Sequence, residues 1–153
     1  HSKKTLYALA KTSRYKATQI LLQNLREKLK MQVLWTSGTG YFKTMLKALS
    51  GGHWLAFVMD QKPLHKNGIS VSFLGQDTLF VKGPAQMMMR GGHPALALFC
   101  VRVKPFEYRI ITQSFLIEAV VLSEAALTQE FAKAIDDVIY AFPDQWLWEY
   151  SRW

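Results

Sequence analysis

The chain has a single cysteine, Cys100, in 153 residues, and that scarcity removes two chemistries at once. No internal disulfide can form and no cysteine-based metal cluster can assemble, so a reducing compartment is expected. Missing too is any apolar run of the roughly 18–20 residues that a membrane-crossing helix needs, and no stretch reads as a leader with a charged start and a small-residue cleavage site. Membrane contact is therefore expected to be peripheral, or to be made by residues outside this chain. Acids are scarce where bases are plentiful: residues 1–30 hold eight Lys/Arg against Glu27 alone, and residues 31–104 hold eight against Asp60 and Asp77. The balance then reverses, with three Lys/Arg and eight acids across residues 105–153. A basic leading two-thirds attracts something anionic, and nucleic acid, anionic lipid head groups and an acidic carrier protein all fit.

What is present is a globular composition. Half of the residues are apolar, enough for one domain of ordinary size, residues 1–153, with a real core. Strand and helix patterns take turns along it. TLYALA (Thr5–Ala10) reads as a short strand. Over Tyr15–Leu29, Ile20, Leu21, Leu22, Leu25 and Leu29 recur at helical spacing and predict one buried face, with Lys16, Gln19, Gln23, Arg26 and Lys30 on the other. Met31–Trp35 predicts a strand, Tyr41–Leu49 a helix stopped by Gly51-Gly52, and Trp54–Met59 a strand buried on both faces because its apolar run does not alternate. Ile69–Leu74 follows as a strand, and a helix opens at Gly83-Pro84, where proline suits the first turn. Ala95–Val103 and Tyr108–Ile117 read as strands paired across Lys104–Glu107, and a helix from about Leu127 to Phe142 ends at Pro143. This alternation predicts an α/β fold, a sandwich around a mostly parallel sheet. No internal repeat or low-complexity linker interrupts it.

In such a sheet, ligands bind beyond the carboxyl ends of the strands. The stretch VMDQKP puts Asp60 and Gln61 at one such end, where a carboxylate is costly unless a counter-charge or hydrogen bonds offset its lost hydration. Asp60 reads equally as the cap of a polar turn.

Longer stretches decide more. The order and spacing of WLAFVMDQKP, GISVSFLGQ, KGPAQMMMRGGHPALALFCVR and FPDQWLWEYSRW resemble the bacterial lipid A late acyltransferases, within the lysophospholipid-acyltransferase-like enzymes. The matching residues are Asp60, Gln61, Phe73, Gly75, Gly83, Pro84, Ala85, Arg90, Gly92, Pro94, Arg102, Pro143, Gln145, Trp146, Trp148, Arg152 and Trp153. One departure stands out. The family's chemistry resides in an H-x4-D/E motif, whose histidine is general base on the acceptor hydroxyl. Here the residues five positions after His1, His53, His65 and His93 are Leu6, Val58, Ser70 and Leu98. The resemblance puts the motif upstream of residue 1, so the expectation is a glycerolipid-acyltransferase-like α/β/α three-layer sandwich, incomplete at its N-terminus, with the catalytic segment and a membrane anchor missing. No catalytic residue, metal or cofactor is expected within the chain.

The resemblance implies transfer of a fatty acyl group from a thioester on acyl carrier protein to a hydroxyl of an anionic glycolipid, a lipid A precursor. It also implies a location at the cytoplasmic face of a bacterial inner membrane. A phosphatidylinositol mannoside or lysophospholipid acceptor, or a non-catalytic lipid-binding relative, are the alternatives. Five residues are candidates for substrate binding. Arg14, where the family carries an arginine beside its active site, suits a bidentate grip on phosphate, and reads equally as one more surface cation beside Lys11 and Lys16. Gly83 opens a helix whose free N–H groups suit a phosphate or an oxyanion, though a plain helix start explains it almost as well. Arg102 ends an apolar strand, and pairing with Asp60 would resolve the cost of that carboxylate; Gln61 completes the polar end. Arg90 reads better as a cation complementing a helix C-terminus. Met87, Met88 and Met89 read as core more readily than as an acyl-chain lining, and His53 and His93 as loop residues. Trp146, Trp148, Tyr150 and Trp153 suit a lipid–water interface or a C-terminal segment packed on the domain. Nucleic acid is excluded as partner because the tryptophans cluster in the acidic third, away from the basic region.

Overall fold

The computed structural model describes residues 4–10, 15–36, 40–63, 68–116 and 123–153. The chain divides into two compact units, residues 1–58 and 59–153. Both mix helices and strands, so the α/β class expected from the alternating patterns holds.

The first unit runs β1 (Leu6–Ala10), α1 (Lys16–Lys28), β2 (Gln32–Trp35), α2 (Tyr41–Ser50) and β3 (Trp54–Ala56). Its three strands form a parallel sheet in the order β2-β1-β3. Tyr7 pairs with Gln32 on one side of β1 and with Leu55 on the other. Met45 and Ala48 of α2 supply its buried apolar side chains. The helix stops where two glycines follow: Gly52 takes the left-handed backbone (φ 76°) that only glycine adopts freely, and His53 N–H closes back on the Ala48 carbonyl at 3.1 Å.

Two expectations for this unit fail. The strand at Trp54 ends at Ala56, and Trp54 and Val58 are exposed: among the described residues it is an edge strand bonded only to β1, so its continuous apolar run does not mark burial on both faces. Nor does α1 bury its leucines, and none of its residues is buried. Gln23, Arg26 and Glu27 turn toward β2 instead and, with Met31, Gln32, Val33 and Trp35, line a cavity of about 230 Å³. Periodicity fixes which residues share a helix face; it does not fix which way that face points.

The second unit holds two antiparallel hairpins, β4 (Gly68–Phe73) with β5 (Gln76–Val81) and β6 (Ala95–Lys104) with β7 (Glu107–Phe115), together with α3 (Gly83–Gly91), α4 (Glu124–Ala141) and a 3-10 turn at Pro143–Gln145. The four strands thus form local antiparallel pairs, where one mostly parallel sheet was expected. Strand β5 is the element that pattern reading misses. Leu74 and Gly75 both have positive φ (51° and 78°), the two-residue turn whose twist matches a hairpin, so the chain doubles straight back from Phe73 to Gln76. At the open end of the same hairpin a side chain on Gly68 would put its Cβ 2.7 Å from the Phe80 carbonyl, so only glycine fits.

Helix α4 is the common wall of this unit. Ser123 caps it by accepting the Ala126 N–H at 3.1 Å. Its Leu127, Phe131 and Ala134 pack with Ala85, Met88 and Phe115, while Ala132 and Ile139 pack with Val71, Phe73 and Phe80. Polar side chains of α4 also grip the first hairpin. Gln129 accepts from Ser72 N–H and donates to Ser72 C=O, both at 2.9 Å, as a neighbouring strand would. Asp136 accepts the Leu74 N–H at 3.1 and 3.2 Å through its two oxygens, which satisfies the donor at the hairpin turn.

Burial raises the Asp136 pKa above the ordinary 3.8, although the bond from Leu74 pulls the other way. The folded state therefore holds this proton more tightly than the unfolded chain, and the stability gained from it is complete below 3.8 and lost as pH rises through the folded value. Asp136→Asn keeps an oxygen for Leu74 and removes the titration. Urea unfolding across this range should show the variant gaining on the parent protein as pH rises; a constant difference would contradict the assignment.

Candidate functional site

The Asp60 segment is fixed from both sides. Met59 packs against both apolar clusters of the second unit, so the chain enters the polar stretch from a position held by the core. Two residues past Asp60, the Lys62 N–H donates to the Tyr150 hydroxyl at 3.0 Å, which ties the segment to the C-terminal residues. Asp60 is half-buried between these anchors and Gln61 is exposed.

The expected Asp60–Arg102 ion pair is not formed. Among the described residues the ion pairs are Lys104–Glu107 at 3.5 Å and Lys133–Asp137 at 2.6 Å, both exposed and each worth little. The Arg102 residue is exposed, and what its position holds is main chain: its N–H donates to Gln145 Oε1 at 2.7 Å and its carbonyl accepts from Gln145 Nε2 at 2.9 Å. Gln145 thus serves β6 as Gln129 serves β4, beside a register shift at Arg102/Lys104.

The cation enclosed in this unit is Arg152. Its side chain is fully buried, 0 % exposed. The guanidinium carbon lies 4.3 Å from the Phe80 ring centroid and 5.5 Å from that of Phe73. Nη1 donates to the Leu79 carbonyl at 2.8 Å and to Thr78 Oγ1 at 3.3 Å, and Thr78 Oγ1 in turn donates to the Arg152 carbonyl at 3.2 Å. Nε and Nη2 have no hydrogen-bond partner among the described residues. Burial lowers the Arg152 pKa from its usual value, and the neighbouring Tyr150 and Asp60 side chains oppose that shift.

The other candidates fall out as follows. Gly83 is the first residue of α3, after Lys82, and among the described residues no side chain caps that end. Arg90 is exposed in the last turn of the same helix, where its charge complements the dipole. Met87 and Met88 are buried and Met89 is exposed, as ordinary core at helical spacing requires. His53 accepts the Thr5 N–H at Nδ1 at 3.3 Å and meets the Tyr7 ring edge-on, a structural use. Trp146 packs on Phe73 with ring centroids 5.8 Å apart and on Trp148 at 4.8 Å, so this C-terminal segment is packed on the unit, while Trp148 and Trp153 stay exposed. Arg14 lies outside the described residues. Asp60, Gln61, Gly83 and Arg102 all belong to the second unit. Among the described residues no group of His, Cys, Asp and Glu is arranged to hold a metal ion. Reading by residue type passed over the structural roles of Arg152 and Gln145; the signal for Arg152 was one arginine between aromatic residues in an acidic third.

A model of the bacterial lipid A biosynthesis acyltransferase family matches residues 2–153. The chain belongs to this family. No curated protein sequence matches it significantly. Membership of the lipid A acyltransferase family makes acyl transfer the chemistry against which the polar residues are to be read. Among the described residues no helix is long and apolar enough to cross a membrane.

Truncating Arg152 to alanine leaves a cavity and strips Thr78 and Leu79 of their donor, and should cost about 3 kcal/mol or more in denaturant unfolding. Arg152→Met fills the same space against Phe73 and Phe80 without a desolvated charge, and should cost no more than about 1.5 kcal/mol. Equal losses in the two variants would show that the guanidinium itself, and not its bulk, holds the segment.

Proposed function

We propose that the chain forms the acceptor side of an acyltransferase that moves a fatty acyl group from acyl carrier protein to a hydroxyl of an anionic glycolipid, a lipid A precursor, at the cytoplasmic face of the inner membrane. Its fold in this reading is the three-layer, glycerolipid-acyltransferase-like sandwich. The observation that carries the proposal is the family match along residues 2–153. Topology supports it. In the order β2-β1-β3 the chain leaves β1 toward one neighbour and later returns on its other side, and the carboxyl ends at such a reversal are where α/β sheets bind ligands. Four residues after β1 the sequence reaches Arg14, and four residues after β3 it reaches Asp60.

The reaction sets distinct tasks. The acceptor oxygen attacks the thioester carbonyl, its proton passes to a base, and the carrier thiolate leaves. Arg14 and Arg102 suit the acceptor's phosphates, since guanidinium forms paired hydrogen bonds with phosphate oxygens. The uncapped start of α3 at Gly83 presents N–H donors suited to a phosphate or to the oxyanion of the tetrahedral intermediate. Asp60 and Gln61 form the polar end, with Asp60 held near Arg152 and acting on orientation. None of the four histidines is followed five positions on by an acid, so these 153 residues lack the base of the family motif. Loss of such a base slows a reaction on the order of 10²–10⁴-fold.

Two measurements test the reading. Titration of the chain with a bis-phosphorylated glycolipid in detergent micelles should show binding that Arg102→Ala weakens about tenfold, the loss of one charge-assisted contact. Turnover of acyl carrier protein thioester by the same chain should remain near background. Equal affinity for an uncharged glycolipid of the same acyl content would remove the phosphate assignment.

A further inference from the structure

Helix α1 is inverted relative to its own sequence. At helical spacing Leu21, Leu22, Leu25 and Leu29 fall in one sector about 100° wide. These residues are 60, 37, 48 and 69 % exposed, while Gln23, Arg26 and Glu27 face β2 across the cavity described above. Lys28 borders the leucine sector on one side and Arg26 on the other, and Glu27, the only acid of the helix, lies on the far side.

We propose that this stripe is a docking surface for an anionic lipid bilayer, with α1 lying in the plane of the head groups. It rests on the reading that the chain works at a membrane and names the part that touches it. Charge complementarity selects this occupant. A leucine sector that runs over the nine residues from Leu21 to Leu29, about 12 Å of helix rise, beside an exposed lysine has the composition of an in-plane helix: leucines enter the acyl boundary while Lys28 extends its stem and leaves its charge among phosphates. Both the surface potential of an anionic leaflet and the excess of bases in residues 1–30 favour this over an uncharged surface. A protein groove would take the leucines equally well but would not call for the exposed cations Lys16, Lys28 and Lys30 along the same segment.

The test is co-sedimentation of the 153-residue chain with phosphatidylcholine vesicles and with vesicles in which phosphatidylglycerol is a minor component, neither containing glycolipid. The chain should bind the mixed vesicles, more weakly at high salt. Leu21→Gln combined with Leu25→Gln should reduce partitioning by about tenfold or more, from the apolar surface withdrawn, and Lys28→Glu should reduce it on anionic vesicles alone. Thermal unfolding of the double leucine variant should match the parent, because the replaced side chains are exposed. Three results would overturn the inference. Unchanged partitioning of the leucine variants puts membrane contact elsewhere and leaves the membrane reading standing; no vesicle binding by the parent chain removes both. A dimer in sedimentation without lipid, dissociated by the leucine variant, gives the stripe to a second copy of the chain.

Discussion

The C-terminal end of the second unit is arranged around one buried arginine. Taking a cation out of water costs several kcal/mol, and here two nitrogens lack partners among the described residues. The offsets are specific: two hydrogen bonds from Nη1, a ring face 4.3 Å away and the negative charge of Asp60. Such an arrangement is weak as a source of stability but strict in geometry, because any displacement of Arg152 loses the offsets and keeps the cost. Chain ends ordinarily fray. This one is held by Thr78 and Leu79 of β5, by the rings of Phe73 and Phe80 beneath it, and by Tyr150 reaching back to Lys62.

The same unit solves a second problem, that a two-stranded hairpin is marginal alone. Each hairpin gains an apolar wall from α4 or its neighbours, and each has one strand residue clamped by a glutamine amide that supplies both a donor and an acceptor. The two glutamines occupy different elements, α4 and the 3-10 turn, yet perform one function. Gln145 stands three residues after Phe142, directly before Trp146, so the clamp on β6 and the edge-on contact of Trp146 with Phe73 fix the path of the chain toward Arg152. The C-terminal segment thus has a folding role that can be stated bond by bond.

Much of this was legible in the residues. Glycine and proline punctuation placed α2, α3 and α4 to within a few positions, and the turn between Lys104 and Glu107 predicted the β6–β7 hairpin. What stayed hidden has physical causes. Strand β5 was lost because Gly75 reads as the end of a strand, whereas with Leu74 also in the left-handed region it makes a reversal of only two residues. The orientation of α1 was unreadable because a helical period says nothing about which neighbour arrives. An Asp60–Arg102 pair follows from that arginine's place at a strand end; the structure forms no such pair and instead encloses Arg152, some ninety residues downstream of Asp60, a separation that local reasoning about strand ends does not reach. Among the candidate residues, Gly83 starts a helix as the sequence implied, whereas Asp60 follows a strand that stops at Ala56, four residues short of it.

Charge then acquires a division of labour. In the acidic third, Lys133 is engaged by Asp137 and Arg152 is enclosed, so two of its three cations serve the fold. In the first unit Lys16, Lys28, Lys43 and Lys47 are exposed, with Glu27 as the single acid of residues 1–58. Surface cations without nearby acids raise the local concentration of anions and steer them before any contact forms. The first unit is therefore cationic, and the last third of the chain is acidic. The sign of the surface changes along the chain because the two ends meet different demands, attraction of an anion at one and enclosure of a cation at the other.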